Sequence, residues 1–111
     1  FDQLPVEAMN LLLLYKKAFM LTNDRYYYKL SRICLNWFLG KNDLHIYLYD
    51  PLTRGCFDGL TRNGVNLNQG AESTLSFVIS QLAIQEIIKE IKNEESVKET
   101  LEPLKQTSLN I

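Results

Sequence analysis

The stretch Arg54–Leu75, RGCFDGLTRNGVNLNQGAESTL, decides how the rest of the chain is read. It holds four of the five glycines in the 111-residue sequence (Gly55, Gly59, Gly64 and Gly70), together with the acids Asp58 and Glu72. On both sides of it the apolar residues recur at helical spacing. The predicted architecture is therefore all-α: antiparallel helical hairpins, with a glycine-rich polar loop over 50–71 between the second and third helices. A polar loop clamped between apolar helices is where a site is most easily built.

Upstream, the spacing predicts a first helix over 4–21. Pro5 suits its first turn, since the missing N–H has no intrahelical partner there, and Asp2 is the chemically better cap beside Gln3. Apolar residues cover most of this helix, and Glu7, Asn10 and Lys17 make a narrow polar stripe. A helix apolar nearly all round is buried in a larger body or an oligomer interface, so the chain is expected to self-associate or to dock onto a missing remainder. A start at Phe1 rather than methionine agrees with a fragment.

Thr22, Asn23 and Asp24 punctuate, and a second helix is predicted over 25–39, with Arg25, Lys29, Arg32 and Asn36 opposite a wide apolar face. Gly40 is the stop, because glycine accepts the left-handed conformation after a helix end. The segment DLHIYLYDP, 43–51, is compatible either with a short extended piece or with one more helical turn ended by Pro51. Downstream, a third helix is predicted over 71–92, with Ser73, Ser76, Ser80 and Ala83 as a small-residue stripe that lets a neighbouring helix approach closely. Residues 1–95 then form one helical domain, and 96–111 a polar tail that Pro103 keeps from continuing the helix.

Composition excludes several function classes. A net charge of −1 with scattered basic residues gives no footprint for nucleic acid. His45 is the single histidine, so a multi-histidine metal site is ruled out; no metal and no cofactor is expected. The patterns GxGxxG, GxxxxGK[ST] and GxSxG are all absent. Cys34 and Cys56 do not make a disulfide framework and are expected to pack as small hydrophobes. No signal peptide and no apolar run long enough to span a bilayer is present, which with the low cysteine usage points to the cytoplasm.

Within the loop, Asn66, Asn68 and Gln69 each donate and accept through one group, matching the mixed pattern of sugar hydroxyls. Glu72, in the first turn of a helix, is stabilised as an anion by the helix dipole. Asp58 is the second carboxylate that a two-carboxylate glycosidase site requires. Against this stands a structural reading, in which the amides cap and brace the turn, Glu72 is an ordinary first-turn acid and Asp58-Gly59 an ordinary turn.

The string DPLTRGCFDGLTRNGVNLNQGAESTLSFVISQLAI, 50–84, resembles a segment in the C-terminal helical region of bacterial proteins whose N-terminal part is a group 1 glycosyltransferase. That segment reads GGC-aromatic-DGL, then GVN-x-NQGAEST and a hydrophobic helix. The matching residues here are Gly55 to Leu60, Gly64 to Asn66 and Asn68 to Thr74, with Arg54 standing in place of a glycine. The resemblance implies the last hairpins of an (α/α) toroid, with polar rim loops that carry a sugar site. On that analogy Asp58 and Glu72 are the catalytic candidates, and Arg54, Asn66, Asn68 and Gln69 the substrate-binding ones. The parent is then a glycosyltransferase acting on a carbohydrate or nucleotide-sugar, and this piece alone is inactive. The alternative is a non-catalytic helical assembly module of the same polypeptide.

Overall fold

The computed structural model describes residues 3–109. Three helices dominate: α1 (Pro5–Thr22), α2 (Arg25–Phe38) and α3 (Ala71–Leu109). The first two end within a residue of their predicted bounds. Pro5 occupies the first turn of α1, but the residue before it is Leu4, whose backbone N–H is met by the Glu7 carboxylate at 3.5 Å. Asp2 lies outside the described residues. The α1–α2 turn is made by Asn23 at φ 57 and by Asp24, whose side chain accepts from the Tyr26 N–H at 2.9 Å. Gly40 closes α2 at φ 96, while the Lys41 N–H returns to the Asn36 carbonyl at 3.0 Å.

The all-α expectation is overturned between Tyr49 and Asn66. Two small antiparallel hairpins stand there, β1 (Tyr49–Asp50) with β2 (Gly55–Cys56), and β3 (Gly59–Thr61) with β4 (Gly64–Asn66). Their registers pair Tyr49 with Cys56 and Leu60 with Val65. Three of the segment's four glycines, Gly55, Gly59 and Gly64, sit in the strands rather than in a loop. At Gly59 an added Cβ would lie 2.7 Å from the Gln3 carbonyl oxygen, and Gln3 pairs with Leu60 through two backbone bonds of 2.9 Å. The segment 43–51 is accordingly extended rather than helical at its end, with Leu39 bridging to Tyr47. Nothing in the arrangement speaks for a toroid: the observed unit is a three-helix bundle closed at one end by paired strands.

Helix α3 also runs further than 92, through Pro103 to Leu109. Its later residues include many strong helix formers (Glu, Lys, Leu), and local propensity carries the helix on. At ~1.5 Å per residue its 39 residues make a rod far longer than α1. Arg25, at the start of α2, reaches Glu94 and Glu95 at 3.7 and 3.9 Å and marks where the bundle ends.

Two apolar clusters hold the molecule. One lies between the helices and is built from Leu12, Phe19, Cys34, Ile84, Ile87 and Ile91. The other, of Phe38, Leu48, Cys56, Leu60 and Phe77, ties the hairpins to the bundle. Phe77 is its hinge-pin, stacked on Tyr49 at 4.4 Å and edge-on to Phe38 at 5.4 Å. The predicted small-residue stripe of α3 is buried throughout: Ser73, Ser76, Ser80 and Ala83 face inward. The Ser76 and Ser80 hydroxyls donate to carbonyls four residues back, so neither is left unpaired in the core.

Candidate functional site

Three of the residues singled out by sequence, Asp58, Asn68 and Gln69, lie at one end of the bundle, where the start of α1, the end of α2 and the start of α3 converge under the hairpins. Asp58 is the centre of this arrangement. One of its carboxylate oxygens accepts from the Gly70 backbone N–H and from the Ser73 hydroxyl, both at 2.8 Å. The other accepts from the Asn68 side-chain amide. Its own N–H donates to the Asn68 and Asn66 carbonyls at 2.8 and 3.2 Å. Helix α3 follows Gly70, which has no side chain with which to cap it. Asp58, twelve residues upstream, instead holds the helix start from across the loop, through the N–H of the residue before it and the Ser73 hydroxyl in its first turn. A Cβ on Gly70 would stand 3.0 Å from that same carboxylate, so the glycine clears the space the anchor needs.

These donors dictate the charge of Asp58. The Gly70 N–H first, then the Asn68 amide and the Ser73 hydroxyl, hold its carboxyl below the ordinary aspartate range. It is a fixed anion. A general acid must carry a proton at working pH, and Asp58 is arranged to refuse one.

A second latch, which sequence reading missed, lies beside the first. Asp50 accepts from the Leu52 N–H at 2.9 Å and from the Gln69 side-chain amide at 3.0 Å. The Leu52 N–H leads the donors that lower its pKa. The Gln69 carbonyl oxygen in turn accepts from the Thr53 hydroxyl at 2.7 Å. Thr74 completes the brace, its hydroxyl accepting from the Cys56 N–H at 3.2 Å. The signal for Asp50 was present in DPLT, where an aspartate two residues before a backbone N–H makes an Asx turn. Ser73 and Thr74 carried no local signal, because their partners are fifteen and eighteen residues away.

The remaining candidates are placed differently. Asn66 is exposed, with its side-chain oxygen accepting from the Asn68 N–H at 3.1 Å. Arg54 is exposed at φ 63 in the first hairpin turn. Glu72 is exposed on the first turn of α3 and is not among the groups around Asp58. The structure thus gathers Asp58, Asn68 and Gln69 into two latches, and leaves Arg54, Asn66 and Glu72 facing solvent.

Both cysteines are free and buried. Burial, reinforced by the nearby Asp58 charge, pushes the Cys56 thiol up to about 12 and so disfavours the nucleophilic thiolate at neutral pH. His45 is exposed, at φ 54. Among the described residues no cluster of three or more His, Cys, Asp or Glu side chains could hold a metal ion. A groove between α1 and α2, of about 310 Å³ and walled by Leu4, Ala8, Leu11, Ile33 and Trp37, contains none of the candidate residues. Among the described residues no helix is long and apolar enough to cross a membrane. In comparison with known proteins, no family model matches the chain, and no curated protein matches it.

Proposed function

We propose that this chain is a non-catalytic helical interaction module of a glycosyltransferase-type polypeptide, and that its glycine-rich segment is a rigid cap that fixes the start of α3. One observation carries this reading: the Asp58 carboxylate is spent on three internal donors, so the second acid of a glycosidase-like pair is committed to the fold. The apolar groups left outside support it from the other direction. Leu75, Val78, Ile79 and Leu82 lie on one exposed face of α3, a stripe that a working surface leaves uncovered only where something docks. The glycosyltransferase context rests on the resemblance of residues 50–84 alone. A carbohydrate or nucleotide-sugar is then the ligand of the parent, and its compartment is the cytoplasm, in keeping with two buried unpaired thiols.

A second reading is favoured by the exposure of Arg54, Asn66 and Glu72, each of which leaves a guanidinium, an amide or a carboxylate open to a sugar. The two readings part on Glu72→Gln in the longer polypeptide. Unchanged turnover and sugar affinity support the interaction module. A loss of turnover with folding intact refutes it and restores Glu72 as a site residue.

A further inference from the structure

We infer that a second copy of this chain docks antiparallel along the exposed face of α3, pairing Glu72 of each copy with Lys89 of the other. This rests on the interaction-module reading and names its partner. The face carries Glu72, Leu75, Ile79, Leu82, Glu86 and Lys89, at successive spacings of three and four, and all six are exposed. That is the a/d spacing of a heptad pattern, running over about two and a half heptads. It lies away from the buried face of α3, on which Ser76, Ser80, Ala83 and Ile87 meet the other helices.

The charges at the two ends of the seam select both the partner and the direction. In an antiparallel pair of identical helices each a position meets a d position. Ile79 then meets Leu82, Leu75 meets Glu86, and Glu72 meets Lys89, in two symmetric sets. A parallel pair places Glu72 on Glu72 and Lys89 on Lys89, which like-charge repulsion disfavours. Isologous two-fold contact is the form in which one patch complements itself, and this patch does so in one orientation only. The Leu75–Glu86 layer is the poor one, since Glu86 is held by Lys16 of its own α1. The seam is therefore expected to associate reversibly rather than as an obligate dimer.

The test is the mass of the chain in solution by light scattering across a concentration series. The expected result is a shift from 12.9 kDa to twice that value with rising concentration. Glu72→Lys and Lys89→Glu should each raise the dissociation constant on the order of tenfold, because two attractive pairs become repulsive. Combined in one chain, the two substitutions should restore it. Ile79→Glu should abolish the dimer with the helical circular dichroism unchanged; should that variant fail to fold, the two charge variants decide alone. A monomer at every concentration, or a dimer indifferent to the charge variants, overturns the inference. The interaction-module reading fails separately, if Ile79→Glu also leaves docking to the remainder of the polypeptide intact.

Discussion

Replacing Phe77 by alanine tests whether the hairpin cap and the helical bundle are one cooperative unit. The ring is 5% exposed, and it touches both sides of the join, stacked on Tyr49 of β1 and edge-on to Phe38 of α2. Deleting a buried phenylalanine costs about 3–5 kcal/mol, as lost transfer energy plus the cavity left behind. The two aromatic contacts, each worth ~0.5–1.5 kcal/mol beyond area, place the expectation in the upper half of that range. A domain of this size has on the order of 5–15 kcal/mol in total, so the variant should lose a large share of its stability. Thermal unfolding followed by far-ultraviolet circular dichroism should show a midpoint lowered by roughly 16–20 °C, at about 4 °C per kcal/mol. Leu52→Ala is the internal control, because that side chain is 94% exposed in the first hairpin turn and should change stability by less than ~0.5 kcal/mol. If Phe77→Ala costs under ~1 kcal/mol, the ring is not buried between the two layers and the description of the cap is wrong.

Three further outcomes follow from the same geometry. Asp58→Asn should destabilise at neutral pH and make unfolding less dependent on acid, because all three partners are donors and an amide can serve them only in part; an unchanged acid titration would refute the latch. In the parent chain, the folded carboxyls of Asp58 and Asp50 lie below their unfolded values, so protons bind the unfolded chain first as pH falls. Their contribution is fully present above the unfolded value of about 4 and is lost below it, as pH drops through the folded pKa values, which an acid series of denaturant melts would register. Cys56, wholly buried with its thiol pushed up to about 12, should react with a thiol reagent at neutral pH only as fast as the chain opens; rapid labelling under native conditions would contradict its placement. Gly59→Ala forces a Cβ to within 2.7 Å of the Gln3 carbonyl oxygen and should cost about 1–3 kcal/mol by thermal melt, through loss of the Gln3–Leu60 bridge.

The sequence by itself determined what is local. Helical periodicity placed α1 and α2 within a residue of their ends, because an amphipathic or apolar repeat is legible without knowing its neighbour. The small-residue stripe on α3 was readable for the same reason, and so was the packing of the two thiols. Gly40 announced a helix stop through a conformation that only its own backbone requires. What the sequence left open was everything decided between residues far apart. The strands β1 to β4 are two or three residues long, too short for an alternating pattern to register, and they exist because Gln3 reaches Leu60 and the cap core gathers Phe38, Leu48, Cys56 and Phe77. The polar residues from 50 to 74 stand out in the sequence, but only some of them, Asp58, Asn68 and Gln69 among them, come together in the fold. Their composition is the same for a sugar site as for a brace, and the difference lies in where the donors point. Only the tertiary structure brings the Gly70 N–H, the Asn68 amide and the Ser73 hydroxyl onto Asp58, and so turns a candidate acid into the anchor of a helix.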